Sequence, residues 1–314
     1  MAEMVNNNIN ITKDKFKIVG NKGTDSEQIL RPSMTYWQDA WRRLKQNKIA
    51  MGSLILLALI TIMTIIGPHL SHYDFEVTNN AANARNLPPN AQHWFGTDNL
   101  GRDTFARVWI GGRVSIIIGL VGALIDTLIG ALYGGISGYF GGLVDDIMMR
   151  IVEILYSIPY LIVVILVSLI VGKGIIPLII AMTITGWCYM ARLVRGQLLQ
   201  IKEQEYVLAA TALGASPKRI ILRHLLPNTL GVMIVAITFD IPGFIFGEAF
   251  LSFIGLGIQS PNTSWGSLAA SAQPNLMFYP EQLFFPSLFI CLTMLSFQLL
   301  GDGLRDALDP KLRQ

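Results

Sequence analysis

Three acids stand inside apolar runs of this sequence: Asp126, Asp240 and Glu248. An ionised acid at the centre of a membrane helix costs about 2.5 to 3.5 kcal/mol on insertion scales, so each must face a helix bundle or water. Asp240 and Glu248 flank Pro242 and Gly243, and three roles suit them. They line a translocation path, gate it through a broken helix, or form a hydrogen-bonded interhelical pair that holds the fold. A proton relay needs further acids or histidines at the same depth, and the sequence offers no convincing chain of them. Catalytic signatures are missing too: there is no GxSxG or HExxH arrangement, and "VGKG" at 171–174 lacks the leading glycine and following Ser or Thr of a phosphate-binding loop. His69, His72 and His93 would meet at a metal only by tertiary accident. Cys188 and Cys291 lie far apart in apolar surroundings and read as buried free thiols.

A second set of residues is suited to docking. "EYVLAATALGASPKRIILRHLLPN" runs from Glu205 to Asn228, after Arg192, Arg195 and Lys202 have carried the chain out of the apolar phase. Residues 203–213 are good helix formers, Gly214 suits a left-handed helix end, Ser216 is a favourable N-cap, and Pro217 fits a first turn. Pro227 marks the start of the next span. The segment predicts two short helices at an angle, outside the membrane. Ala209, Ala210 and Ala212 leave the first one nearly bare, and Tyr206 and Leu213 share a face that offers a knob to a partner groove. An ordinary cytoplasmic loop of good helix propensity is the alternative.

A third stretch, "GTDNLGRD", alternates turn formers with opposite charges. Asp98, Arg102 and Asp103, with Gly96 and Gly101 between turns, predict an ion-pair network that fixes the start of the following span; receiving substrate or a binding protein is the other reading.

These residues need a scaffold, and the composition supplies it. Of 314 residues 52% are hydrophobic and 14% charged, and the apolar ones gather in runs of bilayer length. A hydrocarbon core about 30 Å thick takes roughly 20 helical residues, because only a backbone closed on itself survives there. The sequence therefore predicts an all-α, polytopic bundle with six spans near 49–67, 108–134, 143–171, 175–194, 229–254 and 283–302. Glycines in the second span predict close helix packing, and Pro159 and Pro177 kink or begin helices. The net charge of +3, with basic residues beside spans rather than among aromatics, excludes a nucleic-acid partner and suits a lipid bilayer.

Lys and Arg are dense in the amino-terminal tail, from Arg192 to Arg223, and after Arg305, which predicts both termini on the cytoplasmic side. The expected organisation is a cytoplasmic tail over 1–48, a first span over 49–67, an extracytoplasmic segment over 68–107, a core over 108–305 that includes a cytoplasmic segment 203–227, and a tail over 306–314. The first tail has no apolar core of a cleaved signal peptide, and residues 1–30 read as flexible. "MTYWQDAWRRLKQNKIAM" is amphipathic, either an interfacial helix or an ordinary lead-in to the first span.

The Glu205–Asn228 segment resembles the EAA loop of ABC-transporter permeases, with Ala209, Ala210, Gly214, Leu226 and Pro227 at the motif's positions. It departs from it at Leu208, where Glu is common, and at His224, where Ile is usual. "WFGTDNLGRDTFARVWIGGRVS" and "GEAFLSFIGLGIQSPNTSWGSL" are similar to the C-type subunit of the di- and oligopeptide permeases, and the likeness covers nearly all the chain after Trp37. The resemblance implies a type I ABC-importer permease fold in a bacterial plasma membrane. It implies a non-catalytic subunit that pairs with a second, homologous permease, sits on two ATPase subunits, and receives peptide from an extracytoplasmic lipoprotein. No cofactor is then expected on this chain, ATP and Mg²⁺ being held by the ATPases. Nickel, glycopeptide and sugar importers share the architecture, and an ion-driven transporter or an intramembrane enzyme are the readings from other classes.

Overall fold

The computed structural model describes residues 35–79, 81 and 83–309. The expected flexibility of residues 1–30 lies outside them, as does the tail beyond Asp309. Residues 35–39 and those from Ala40 onward belong to separate units.

Helix α1 (Tyr36–Gln46) carries the expected two-faced pattern: Ala40 and Leu44 are buried one turn apart while Trp41 is exposed. Asn47 ends it and caps α2 (Lys48–Leu70), its Oδ1 accepting from the N–H groups of Ile49 and Ala50, both at 3.1 Å. A helix end leaves its first N–H groups without partners, and this side chain supplies one for two of them. The segment that follows is irregular, as its Asn and Pro content predicts, until Asp103 caps α3 (Thr104–Phe140).

Helix α3 has 37 residues, about 55 Å of length, against a hydrocarbon core of about 30 Å. It overruns the expected 108–134 by a turn or more at each end. Its glycines do what the sequence predicts. A Cβ on Gly130 would stand 2.8 Å from the Ala191 nitrogen and the Trp187 carbonyl oxygen, and one on Gly134 would strike the Ala191 carbonyl. The backbones of α3 and α6 (Ile175–Ile201) are thus in direct contact, the packing that small residues permit where no hydrophobic force drives helices together.

The third expected span is where the structure departs most from the sequence reading. Residues 143–171 form two helices, α4 (Gly142–Ser157) and α5 (Tyr160–Val171), bent by 83° at Ile158–Pro159. Proline disfavours helical backbone in the residue before it, and Ile158 is extended at φ −76°, ψ 126°. A kink was expected; a corner is present. Pro177 sits in the first turn of α6, where its missing N–H costs nothing.

Helix α7 (Glu205–Ala212) is short and separate, but the second short helix is not. α8 (Pro217–Ile220) passes through a π-helical turn, Ile221–Leu225, directly into α9 (Leu226–Phe253). The Leu226 N–H donates to the Ile221 carbonyl, five residues back. This widened turn lies just ahead of Pro227, whose ring would otherwise crowd the carbonyl of Arg223 four residues back, and the helix continues unbroken. After α9 come a helix the sequence reading left as a connection, α10 (Trp265–Ala272), and the long α11 (Pro280–Leu308). α10 starts at a capping box built from Ser264 and Ser267, with serine where the usual pattern has Glu or Gln.

Five of these helical stretches are long and apolar enough to cross a membrane, and six if the bent α4–α5 pair counts as one, among the described residues. Cys188 is buried, but Cys291 is exposed on α11, because apolar neighbours in sequence do not tell a lipid-facing side from a core-facing one. Neither forms a disulfide.

Candidate functional site

The Glu205–Asn228 segment hangs from the end of α6, which is itself clamped. Arg195 on α6 pairs with Asp145 on α4 at 2.5 Å, Asp145 also accepts from the Ser137 hydroxyl of α3, and Lys202 Nζ donates to the Gly138 carbonyl at 3.2 Å. Three helices are tied together within the last three turns before α7 begins. Val207 then anchors α7: it is 2% exposed and packs among Leu198, Ile220 and Leu225. Neither the clamp nor Val207 was singled out from sequence, and with Leu208 beside it in an alanine-rich helix nothing in the residue types tells which of the two is buried.

The α7 carboxyl end closes as Gly214 predicts. At φ +79° this glycine lets its own N–H reach the Thr211 carbonyl (2.9 Å) while the Ala215 N–H reaches Ala210 (3.0 Å), the paired bonds of a Schellman motif. Ser216 holds the N-cap position of α8 without a side-chain capping bond, and Pro217 is its first residue. Glu205, in the first turn of α7, puts a negative charge at the positive end of the helix dipole. Ala209, Pro217 and Pro227 are exposed and Ala210 is half-buried. Leu208 is 57% and Leu213 88% exposed, so the face of α7 away from Val207 is apolar and uncovered. Tyr206 does not share this free face fully, because its hydroxyl accepts from Asn228 Nδ2 at 3.0 Å. Partial burial raises the phenol's pKa, opposed by that hydrogen bond, and the group stays neutral.

In the Gly96–Asp103 motif the structure divides the charges differently from the expectation. Arg102 Nε donates to Asp98 at 2.7 Å, and Arg107, not anticipated, lies 3.7 Å from the same carboxylate. Asp103 stands apart from them. It accepts from the Ala106 N–H at the start of α3 (2.8 Å) and from Ser71 (3.0 Å), and it pairs with His93 Nδ1 (2.9 Å). An N-cap needs its carboxylate turned back on the helix, which removes it from the arginines. Gly96 and Gly101, at φ +76° and +70°, place the turns, and a Cβ on either would strike a backbone carbonyl, of Leu87 and of Asn79.

The acids separate as well. Glu248 is fully buried and accepts from the hydroxyls of Ser115 (2.9 Å), Ser252 (2.7 Å) and Ser264 (2.6 Å). Each hydroxyl itself accepts a backbone N–H, from Trp265, Ile258 and Ser267 respectively, which leaves its own proton for the carboxylate. The arrangement locks α3, α9 and the start of α10 together. With Asp126 of α3, Tyr160 of α5, Gly186 of α6 and Phe244 of α9, Asp240 lines a cavity of about 210 Å³.

Comparison with known proteins agrees with this architecture. Residues 127–314 match the family described as binding-protein-dependent transport system inner membrane component, and residues 35–89 match the N-terminal TM domain of oligopeptide transport permease C. The oligopeptide transport system permease protein OppC of Bacillus subtilis is 51% identical over 305 residues, which is 97% of this chain and 99% of that one. The dipeptide transport system permease protein DppC of the same organism is 53% identical over 95% of this chain and 93% of its own length. A structure of the MetNI methionine ABC transporter in inward-facing conformations shares the fold, with a TM-score of 0.53 at 22% identity over 64% of this chain and 97% of the other. The all-helical architecture, with five or six stretches able to cross a membrane among the described residues, accords with that fold. This chain belongs to the inner-membrane permeases of binding-protein-dependent transport systems, in the group of the oligopeptide and dipeptide C-type subunits.

Proposed function

We propose that this chain forms half of the translocation pathway of an ATP-driven oligopeptide or dipeptide importer, and that separate ATPase subunits drive it through Glu205–Pro227. Membership of the family implies ATPase and binding-protein partners and a multi-pass, non-catalytic inner-membrane subunit. The finer reading is a second, homologous permease beside this chain, two ATPases beneath, and an extracytoplasmic peptide-binding lipoprotein above. ATP and Mg²⁺ reside on the ATPases. Both termini and the segment 203–227 face the cytoplasm, and 68–107 lies outside, an orientation supported by the density of Lys and Arg.

The observation that carries the coupling role is the uncovered face of α7. Leu208 and Leu213 are exposed on a helix held from its other side by Val207. A short helix with one anchored side and one bare apolar side fits a groove in a partner. Tyr206, Ala209, Ala210, Gly214, Ser216, Pro217 and Pro227 shape this surface, with Glu205 at its start. Asp240 is assigned to the pathway and Glu248 to holding the helices around it. The outer motif of Gly96, Asp98, Gly101, Arg102 and Asp103 fixes the head of α3.

Purification in mild detergent tests the assembly. A second permease and ATPase subunits are expected to accompany this chain, and reconstituted complex with its binding protein is expected to hydrolyse ATP faster when peptide is added. Recovery of a lone chain that transports by itself would sink the reading. Replacing Leu208 with Asp tests the surface: the chain should insert normally but fail to retain the ATPases.

A further inference from the structure

The cavity beside Asp240 has features that lining a path does not by itself require. Asp126 is 2% exposed, yet its Oδ1 has no hydrogen-bond partner. A buried carboxylate oxygen without a donor is costly, more so at membrane depth. Asp126 faces the cavity from α3, and the second acid, Asp240, faces it from α9. The corner at Pro159 starts α5 at Tyr160, which is a third oxygen on the same cavity wall. Gly186 completes the arrangement, since a Cβ there would collide with the Asp126 carboxylate.

We infer that this cavity is a recognition subsite for a primary ammonium group of the transported solute; the inference rests on the peptide-import reading above and names what the pathway recognises. An ammonium presents three N–H donors and no acceptor. The lining residues carry three acceptor groups, the Asp126 and Asp240 carboxylates and the Tyr160 hydroxyl, and two aromatic rings, of Tyr160 and Phe244, a residue type that favours a nearby cation. At about 210 Å³ the cavity is smaller than the roughly 300 Å³ or more of a site that encloses a whole small molecule, so it takes an end group and leaves the rest of the solute outside. A bound metal ion is the poorer fit, because no three of His, Cys, Asp and Glu stand together as a ligand set among the described residues. Two sources carry the same chemistry: the free amino terminus of a peptide and the side chain of lysine.

The test uses the complete transporter, with its ATPases, second permease and binding protein, in proteoliposomes. Uptake is measured for a tripeptide with a free amino terminus and for its N-acetyl form, and for a lysine-containing peptide and its norleucine counterpart. Each pair gives a ratio, and comparing ratios between Asp126→Asn, Asp240→Asn and the unmodified chain cancels the binding protein's own preference. The free-over-acetyl ratio is expected to fall about tenfold in both variants, the size of one charge-assisted hydrogen bond. A fall confined to the lysine-over-norleucine ratio assigns the subsite to the side-chain ammonium. Both ratios unchanged overturns the inference, and if Asp126→Asn does not assemble, unchanged ratios in the half-buried Asp240→Asn alone do so. Failure of the unmodified transporter to import any of the four peptides instead overturns the peptide-import reading.

Discussion

The side chain of Asn228 donates to the Tyr206 hydroxyl at 3.0 Å, joining the first turn of α9 to the first turn of α7 across 22 residues of chain. Asn228 Nδ2 also donates to the His224 carbonyl at 2.6 Å, so the amide is oriented before it meets the phenol. Besides Val207, this is what sets the tilt of the exposed helix. Tyr206→Phe should therefore leave the protein inserted and the complex assembled while lowering peptide-stimulated ATP hydrolysis several-fold, in proportion to a neutral hydrogen bond of about 1 kcal/mol. In a double-mutant cycle with Asn228→Ala, the two losses should fail to add. Full additivity in the ATPase assay would remove the bond from the coupling pathway.

Gly214 has open space where a Cβ would go, so a substitution there meets no neighbour within this chain. The cost is in the backbone, at φ +79°, about 1 to 2 kcal/mol for an ordinary L-residue. Gly214→Val should abolish uptake with insertion unchanged, and Gly214→Asn, which tolerates this conformation, should keep much of it. Equal uptake by the Val and Asn variants, measured in vesicles, would show that the left-handed turn is dispensable.

Glu248→Ala strips an acceptor from three buried hydroxyls at once. The expected loss is about 2 to 4 kcal/mol of stability, seen as a lower midpoint of thermal unfolding in detergent. Glu248→Gln should lose less, because it retains one acceptor oxygen. An Ala variant as stable as the unmodified protein would contradict the buried arrangement.

At the head of α3, Asp103→Ala should cost more stability than Asp98→Asn. Asp103 caps a 37-residue helix and binds Ser71 and His93, whereas Asp98→Asn keeps one acceptor oxygen, for Arg102 Nε or for the Leu100 and Arg102 N–H groups. Loss of a cap alone is worth about 1 kcal/mol. Thermal unfolding of the two variants side by side decides the order.

Gly134→Leu forces α3 away from α6, since even a Cβ there would strike the Ala191 carbonyl. Overpacking of this kind costs about 1 to 3 kcal/mol or more, and the variant should fail to accumulate in the membrane. Gly52, which faces open space on α2, is the control: Gly52→Leu should accumulate normally by immunoblot.

Much of this was legible in the sequence because it depends on short-range rules. Bilayer length marks the apolar helices, and Gly214 marks the end of α7 by its backbone freedom. What escaped depends on tertiary surroundings. Pro159 announced a kink, but whether a proline tilts a span or turns it through 83° is decided by what receives the second helix. Pro227 looked like a helix start, and the widened turn that accommodates it leaves no mark in residue types. Asp240 and Glu248 are indistinguishable as intramembrane acids eight residues apart. Only the three serines, two of them distant in sequence, enclose one and leave the other on a cavity.

The continuity of α8 through the π-turn into α9 has a mechanical consequence. From Pro217 to Asp240 the chain is one stiff rod, about 35 Å long at the helical rise per residue. A rod without a joint cannot absorb a push at its foot, so a thrust delivered beside Pro217 reappears as displacement of the Asp240 carboxylate at the other end. The nearest breaks in helical direction lie off the rod, at the left-handed turn of Gly214 and the corner at Pro159.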